Sequence, residues 1–185
     1  MVYNSNMENI VFNNLFTKEE CEDLIKMVQH EMETRPHVSI MVDENGSLIN
    51  QDDVVMVDRD NGRLMVEILP TPEYIVEKLK TIVREQYGDC EYISTVYAEY
   101  SSNTGNPKLN GHFDSKLDTT LVDYQLKSNI TWPITIDGTN YELVDNQAVL
   151  LRPHKQFHGR PQKNFEKHDF VNMLFFFFKK PTNRE

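Results

Sequence analysis

Three side chains in the C-terminal half of the sequence have the types and spacing to hold a metal ion: His112 and Asp114, separated by Phe113, and His158, 44 residues beyond Asp114. Two imidazoles and one carboxylate on one face of a divalent cation leave its remaining positions open, the ligand pattern of non-haem Fe(II) centres. Side chains alternate along a strand, so a strand end puts His112 and Asp114 on one face, and a later strand of a closed jelly roll can return His158 beside them. A His-x-Asp pair alone is a weak motif, and its context has to carry the reading. Here a polar loop, Ser101 to Gly111, precedes the pair. The stretch Asp145-Asn-Gln-Ala-Val-Leu-Leu151 reads as a turn and strand before the distal histidine, and Gly159 follows it.

Elements that would position these groups are legible upstream and around them. Thr17-Lys-Glu-Glu20 is a capping box, in which the hydroxyl and the carboxylate each satisfy a free backbone N–H at a helix start. Cys21, Leu24, Ile25, Val28 and Met32 then recur at helical spacing up to Pro36, and Ile10 to Phe12 precede them as a short strand. Thr71-Pro72 predicts a second helix, with Thr as cap and Pro at its first position, Ile75, Leu79, Ile82 and Val83 on its buried face, and Gly88 as its stop. Between the helices, Asn45-Gly46 and Asn61-Gly62 are turn pairs flanked by Ser39 to Val42, Val54 to Val57 and Leu64 to Ile68, which predicts a strand-rich extension.

From Glu91 the pattern changes to short β runs: Tyr92 to Tyr100, Thr119 to Leu126, Asn129 to Ile136, Tyr141 to Val144, Ala148 to Leu151 and Phe170 to Phe178. Strands of this length after two helices predict a mainly β, α+β fold: a jelly roll of cupin-like type with two N-terminal supporting helices. The 185 residues suit one domain, with residues 1–90 supporting a metal-binding β core over 91–180.

A net charge of −10 opposes phosphate backbones and anionic lipid, which argues against nucleic-acid and membrane-surface partners. No run approaches the roughly 20 apolar residues of a spanning helix, and the N-terminus lacks the basic start and apolar stretch of a secretory signal. Two cysteines, Cys21 and Cys90, are too few for a disulfide framework. The expectation is a cytoplasmic protein without membrane segments.

Beyond these physical signals, the residues resemble the iron- and 2-oxoglutarate-dependent dioxygenases of the prolyl 4-hydroxylase type. Ile10 to Met27 looks like that family's opening strand and first helix. Tyr97-Ala-Glu-Tyr100 through His112-Phe-Asp114 is similar to its strand, tyrosine, loop and His-x-Asp, and Asp145 to Gly159 to its turn, strand and distal His-Gly. The likeness runs in outline from residue 10 to 178, with a poorly matched middle from Pro36 to Leu69. It implies a double-stranded β-helix with Fe(II) held by His112, Asp114 and His158, 2-oxoglutarate as cosubstrate and O2 as second cosubstrate. The implied reaction is hydroxylation of an amino-acid or peptidyl substrate, prolyl among them, with release of succinate and CO2. The family's spacing to Gly159 favours His158 over His154 as distal ligand.

One departure concerns the cosubstrate. The family usually anchors the far carboxylate on a Lys or Arg about ten residues past the distal histidine, and that offset lands on His168. Lys167 and Arg160 are the neighbouring cations, Tyr100 matches the family's strand tyrosine, and Asn172 shares the strand face expected for His168. Two other readings stand beside this one: a zinc-type jelly roll without oxygenase activity, since three ligands and an open position also suit a zinc-bound water, and a noncatalytic binding module. Trp132 reads as core rather than as a substrate platform.

Overall fold

The computed structural model describes residues 9–40, 53–114 and 118–181. In chain order its elements are β1 (Ile10–Asn13), α1 (Lys18–Thr34), β2 (His37–Ser39), β3 (Val55–Asp58), β4 (Arg63–Val66), α2 (Glu73–Tyr87), β5 (Glu91–Ser101), β6 (Leu109–His112), β7 (Thr119–Ser128), β8 (Ile134–Ile136), β9 (Thr139–Tyr141), β10 (Gln147–Leu151), β11 (His158–Arg160) and β12 (Phe170–Lys179).

From β5 onward the chain winds between two sheets. β5, β7, β10 and β12 lie in one, β6, β8, β9 and β11 in the other, in the orders β10-β7-β12-β5 and β6-β11-β8-β9. This alternation is a jelly-roll winding. Around it the larger sheet is extended on both edges, by β1 beside β10 and by β4, β3 and β2 beside β5, giving eight strands that are antiparallel except for the β2–β3 pair. The extension predicted between the helices is therefore part of the main sheet. Asn45-Gly46 and the end of the strand expected at Ser39 to Val42 lie outside the described residues.

The alternation of β12 shows how one strand serves two cores. Leu174, Phe176 and Phe178 pack with Leu24 and Val28 of α1 and Ile75, Leu79 and Val83 of α2 on the outer face of the large sheet. Val171, Met173 and Phe175 turn the other way and pack with Tyr100, Leu121, Trp132, Ile134 and Ile136 between the sheets. The Phe175 to Phe178 run thus fills both faces. The helices cover one side of the sheet so that its other side can form the wall of a site.

Local signals account for most boundaries. The Thr17 hydroxyl accepts from Glu20 N at 3.2 Å and the Glu20 carboxylate accepts from Thr17 N at 2.7 Å, completing the capping box at α1. Asp137 and Gly138, at φ 48° and 82°, form the tight turn between β8 and β9, the left-handed pair that a two-residue hairpin favours. At α2 the expectation is corrected. Pro72 is the cap residue with no side-chain cap bond, and the Thr71 hydroxyl instead donates to Thr95 Oγ1 at 2.7 Å, tying the helix entry to β5. The run expected at Asn129 to Ile136 is strand only over Ile134–Ile136, and no helix among the described residues is long and apolar enough to cross a membrane.

Leu24 sits at the centre of the α1 contact with no exposure. Leu24→Ala is expected to cost about 2–5 kcal/mol, read as a lower denaturant midpoint at unchanged slope.

Candidate metal centre

His112 ends β6 and His158 begins β11, and the two are register partners in the smaller sheet. Their rings lie 4.5 Å apart, centroid to centroid. Asp114 follows His112 by two residues, and its backbone N–H donates to Pro153 O at 3.0 Å, so the turn leading into β11 also fixes the carboxylate. Asp114 Oδ1 stands 3.2 Å from His112 Nε2 and 3.6 Å from His158 Nε2. One ligand atom from each of the three residues falls within 4.8 Å of the others, the one such group of three found among the described residues.

The tautomers follow from the other ring nitrogens. His112 Nδ1 is 2.8 Å from Asn110 O and His158 Nδ1 is 3.0 Å from Gln156 O. A carbonyl only accepts, so each Nδ1 carries the proton and each Nε2 lone pair is left for a cation, the outer arrangement that orients metal-binding histidines. The hydrogen bond to Asp114 raises His112's affinity for a proton, against partial burial and the nearby Arg63, which oppose it. Such an acid–base cluster binds a divalent cation in competition with protons.

Neighbouring elements hold this geometry. Asp137 of the β8–β9 turn exchanges two hydrogen bonds with the backbone of Phe157: Phe157 N to Asp137 Oδ1 at 2.9 Å and Asp137 N to Phe157 O at 2.8 Å. His154 lies in the preceding turn with Nδ1 donating to Thr119 O at 3.0 Å and faces Asp118, apart from the three ligands. At Gly159 an added Cβ would stand 2.6 Å from Leu109 O and 2.9 Å from the Gly111 backbone. Both obstacles are main chain, so Gly159→Ala is expected to push β11 from β6 and part the two histidines. The expected readout is a fall in metal affinity of at least about 10-fold, comparable to loss of an outer-shell partner, seen by calorimetric titration with Ni(II).

The three ligands open onto a cavity of about 210 Å³ between the sheets. Met65, Val96, Leu121, Phe175 and Phe177 provide apolar wall, and Arg63, Glu67 and Asp123 add charge. Arg63, absent from the sequence-level candidates, is the one Arg or Lys among the described lining residues. Its Nε donates to Asp58 Oδ2 at 2.8 Å and its Nη1 to the Tyr100 hydroxyl at 3.3 Å.

The sequence-level cosubstrate candidates are dispersed. His168 sits at φ 76° in a turn before β12, and both it and Lys167 are exposed and outside the cavity lining. The ten-residue offset assumed a regular strand that has not yet begun there. Asn172 is on the opposite face of the sheet, in a depression against α1 with Ile25 and Met32. Arg160 is fully buried, with Nη1 on Trp132 O at 2.8 Å and Nη2 on Asp123 Oδ1 at 3.2 Å. Tyr100 is buried behind Arg63, edge-on to Trp132 at 4.8 Å. Trp132 is core, with its Nε1 donating to Pro161 O at 2.8 Å. The 101–111 loop is tied to the β3–β4 turn by Ser101 N to Gly62 O and Lys108 N to Asn61 O, both 3.2 Å.

Comparison with known proteins places this geometry in a familiar setting. No protein-family model matches the chain, and no curated protein matches it. Solved structures do. The viral collagen prolyl hydroxylase vCPH from Paramecium Bursaria Chlorella virus-1, in complex with 2-oxoglutarate, aligns over 94% of this chain and 96% of its own at TM-score 0.60 and 11% identity. A prolyl hydroxylase from Trichoplax adhaerens, bound to a peptide of hypoxia inducible factor, aligns over 92% and 83% at TM-score 0.61 and 10% identity. The non-heme alpha ketoglutarate dependent epimerase SnoN of nogalamycin biosynthesis aligns over 94% and 77% at TM-score 0.67 and 5% identity. The resemblance read from His112-Phe-Asp114 and His158-Gly159 is therefore matched in three dimensions: the chain carries the fold of prolyl hydroxylases and other 2-oxoglutarate oxygenases.

Proposed function

We propose that the protein is an Fe(II)- and 2-oxoglutarate-dependent dioxygenase, with His112, Asp114 and His158 as the iron ligands. The observation that carries the reading is the convergence of two preset Nε2 lone pairs and one carboxylate at the wall of an inter-sheet cavity. This donor set fits a divalent iron: borderline nitrogen donors and one hard oxygen on one side, with the cavity on the other for exchangeable ligands. When bound, iron with 2-oxoglutarate supplies the oxidative chemistry, in which the keto acid is decarboxylated to succinate while one oxygen atom goes to a substrate C–H.

The chain's own contribution is placement and exclusion. Asn110 O and Gln156 O hold the imidazole planes, and the Pro153 carbonyl holds Asp114 through its amide. Leu121, Phe175 and Phe177 keep the cavity wall apolar, which limits water near the reacting groups. The substrate proposed is an amino-acid or peptidyl side chain, prolyl among them. Its support is that two structural neighbours are prolyl hydroxylases, one of them holding a peptide.

The test is turnover. With Fe(II), 2-oxoglutarate, O2 and proline-containing peptides, the protein is expected to form succinate, and Zn(II) in place of Fe(II) is expected to stop it. Succinate formation that is independent of iron, or absent from folded, iron-loaded protein, contradicts the reading.

A further inference from the structure

Resting on that functional reading, we infer that Arg63, held in place by the Tyr100 hydroxyl behind it, receives the distal carboxylate of the keto-acid cosubstrate, a task the resemblance would give to a residue near position 168. Three observations converge on it. First, the strand expected to carry the anchor offers none: Val171, Met173, Phe175 and Phe177, on the face of β12 turned toward the other sheet, are all apolar. Second, Arg63 and Tyr100 are register partners on β4 and β5, as are Met65 and Ala98. Arg63 therefore projects to the same side as Tyr100 and Met65, and it lines the same cavity as His112, Asp114 and His158. A strand appended beside the winding thus delivers the cation that the winding itself lacks.

Third, the hydrogen-bonding capacity of Arg63 is incomplete in the way an anion site requires. Arg63 Nε is taken by Asp58 and Nη1 by Tyr100, and Nη2 has no partner among the described residues. Tyr100 is fully buried and does not line the cavity, and its oxygen accepts from Arg63 Nη1, which holds the guanidinium at the cavity wall. A carboxylate in the cavity supplies the acceptor that Arg63 Nη2 lacks, as a charge-assisted hydrogen bond. Asp58 does not consume the guanidinium: its carboxylate also accepts from Asn61 N at 3.1 Å and Asn61 Nδ2 at 2.9 Å. It acts as a brace that fixes the plane of the Arg63 fork.

Arg160, which is fully buried where Arg63 is half-buried, is differently placed. Its Nη atoms are engaged by Trp132 O and Asp123, its Nε is buried without a partner, and it does not line the cavity of the three ligands, which is what separates it from Arg63.

Binding to the Ni(II)-loaded full-length protein tests this without turnover. Trp132 is the chain's single tryptophan and its ring lies 4.8 Å from that of Tyr100, so its fluorescence reports on the pair alongside calorimetry. The two probes are 2-oxoglutarate and 2-oxopentanoate, which keeps the chelating end and replaces the distal carboxylate with a methyl group. Wild type is expected to prefer 2-oxoglutarate by about 10- to 100-fold, the range of charge-assisted hydrogen bonds. Arg63→Gln is expected to abolish the preference while leaving 2-oxopentanoate binding unchanged, and Tyr100→Phe to reduce it in part. His168→Ala and Lys167→Ala are expected to keep it.

Should Arg63→Gln fail to fold, Arg63→Lys retains the charge and loses the fork, and a selective weakening of 2-oxoglutarate is expected there too. A wild-type preference that survives in the folded arginine variants and in Tyr100→Phe overturns the assignment while the oxygenase reading stands. Failure of metal-loaded wild type to bind either keto acid overturns both.

Discussion

Asp114→Ala is expected to lower divalent-metal affinity by more than about 100-fold, beyond the 10- to 100-fold typical of losing an outer-shell partner, and to abolish 2-oxoglutarate-dependent turnover. Asp114 Oδ1 faces both Nε2 atoms, at 3.2 and 3.6 Å, and is the one carboxylate in the group. Removing it leaves two neutral imidazoles with no charge to offset the cation. The fold should persist, because the side chain belongs to neither hydrophobic core and the amide bond to Pro153 O is main chain. The checks are anaerobic calorimetry with Fe(II) and thermal unfolding of the metal-free protein. A metal-free melting temperature close to wild type, together with lost binding, separates a ligand from a structural residue.

The second large effect is on stability. Arg160→Met is expected to destabilise the protein by about 3–5 kcal/mol, because breaking a buried pair strands its partner. Asp123 is 2% exposed, and burial already pushes its carboxyl above the usual range, with Arg160 and then His158 pulling the other way. Without Arg160 the carboxylate must take up a proton or stay charged between two sheets. Arg160→Met with Asp123→Leu is expected to recover much of the loss, since a well-packed apolar pair can replace a buried ion pair at little cost. Chemical denaturation of the single and double variants measures it. Equal losses in both would mean that Arg160 matters through Trp132 O and not through Asp123.

What the sequence made legible was whatever depends on short spacing. The capping box at Thr17, the stripe from Cys21 to Met32, the Asn61-Gly62 turn and the pairing of His112 with Asp114 each rest on residues a few positions apart, where helix and strand periods act directly. The return of His158 needed a fold-level expectation, and the jelly-roll winding met it. The ten-residue count to His168 failed for a definite reason: residues 161–169 are irregular, His168 adopts φ 76°, and β12 begins only at Phe170.

Arg63 was out of reach because it lies in the stretch that matched the family least. Nothing in its local pattern sets it apart from a surface arginine beside a turn. Only the Arg63–Tyr100 register brings it to the ligands. β6 and β11, four and three residues long, gave no periodic signal, and the first is rich in polar and small residues. Thr71 illustrates the opposite error, a sound local cap signal overridden by a tertiary partner, Thr95.

The most direct test of the central claim is spectroscopic. Under anaerobic conditions, Fe(II) followed by 2-oxoglutarate should give a weak visible charge-transfer band in the wild-type protein, saturating with a single iron per chain, and admission of O2 should bleach it with formation of succinate. The same additions to His112→Ala should give no band. A folded wild-type protein that binds iron yet shows neither the band nor succinate would contradict the account.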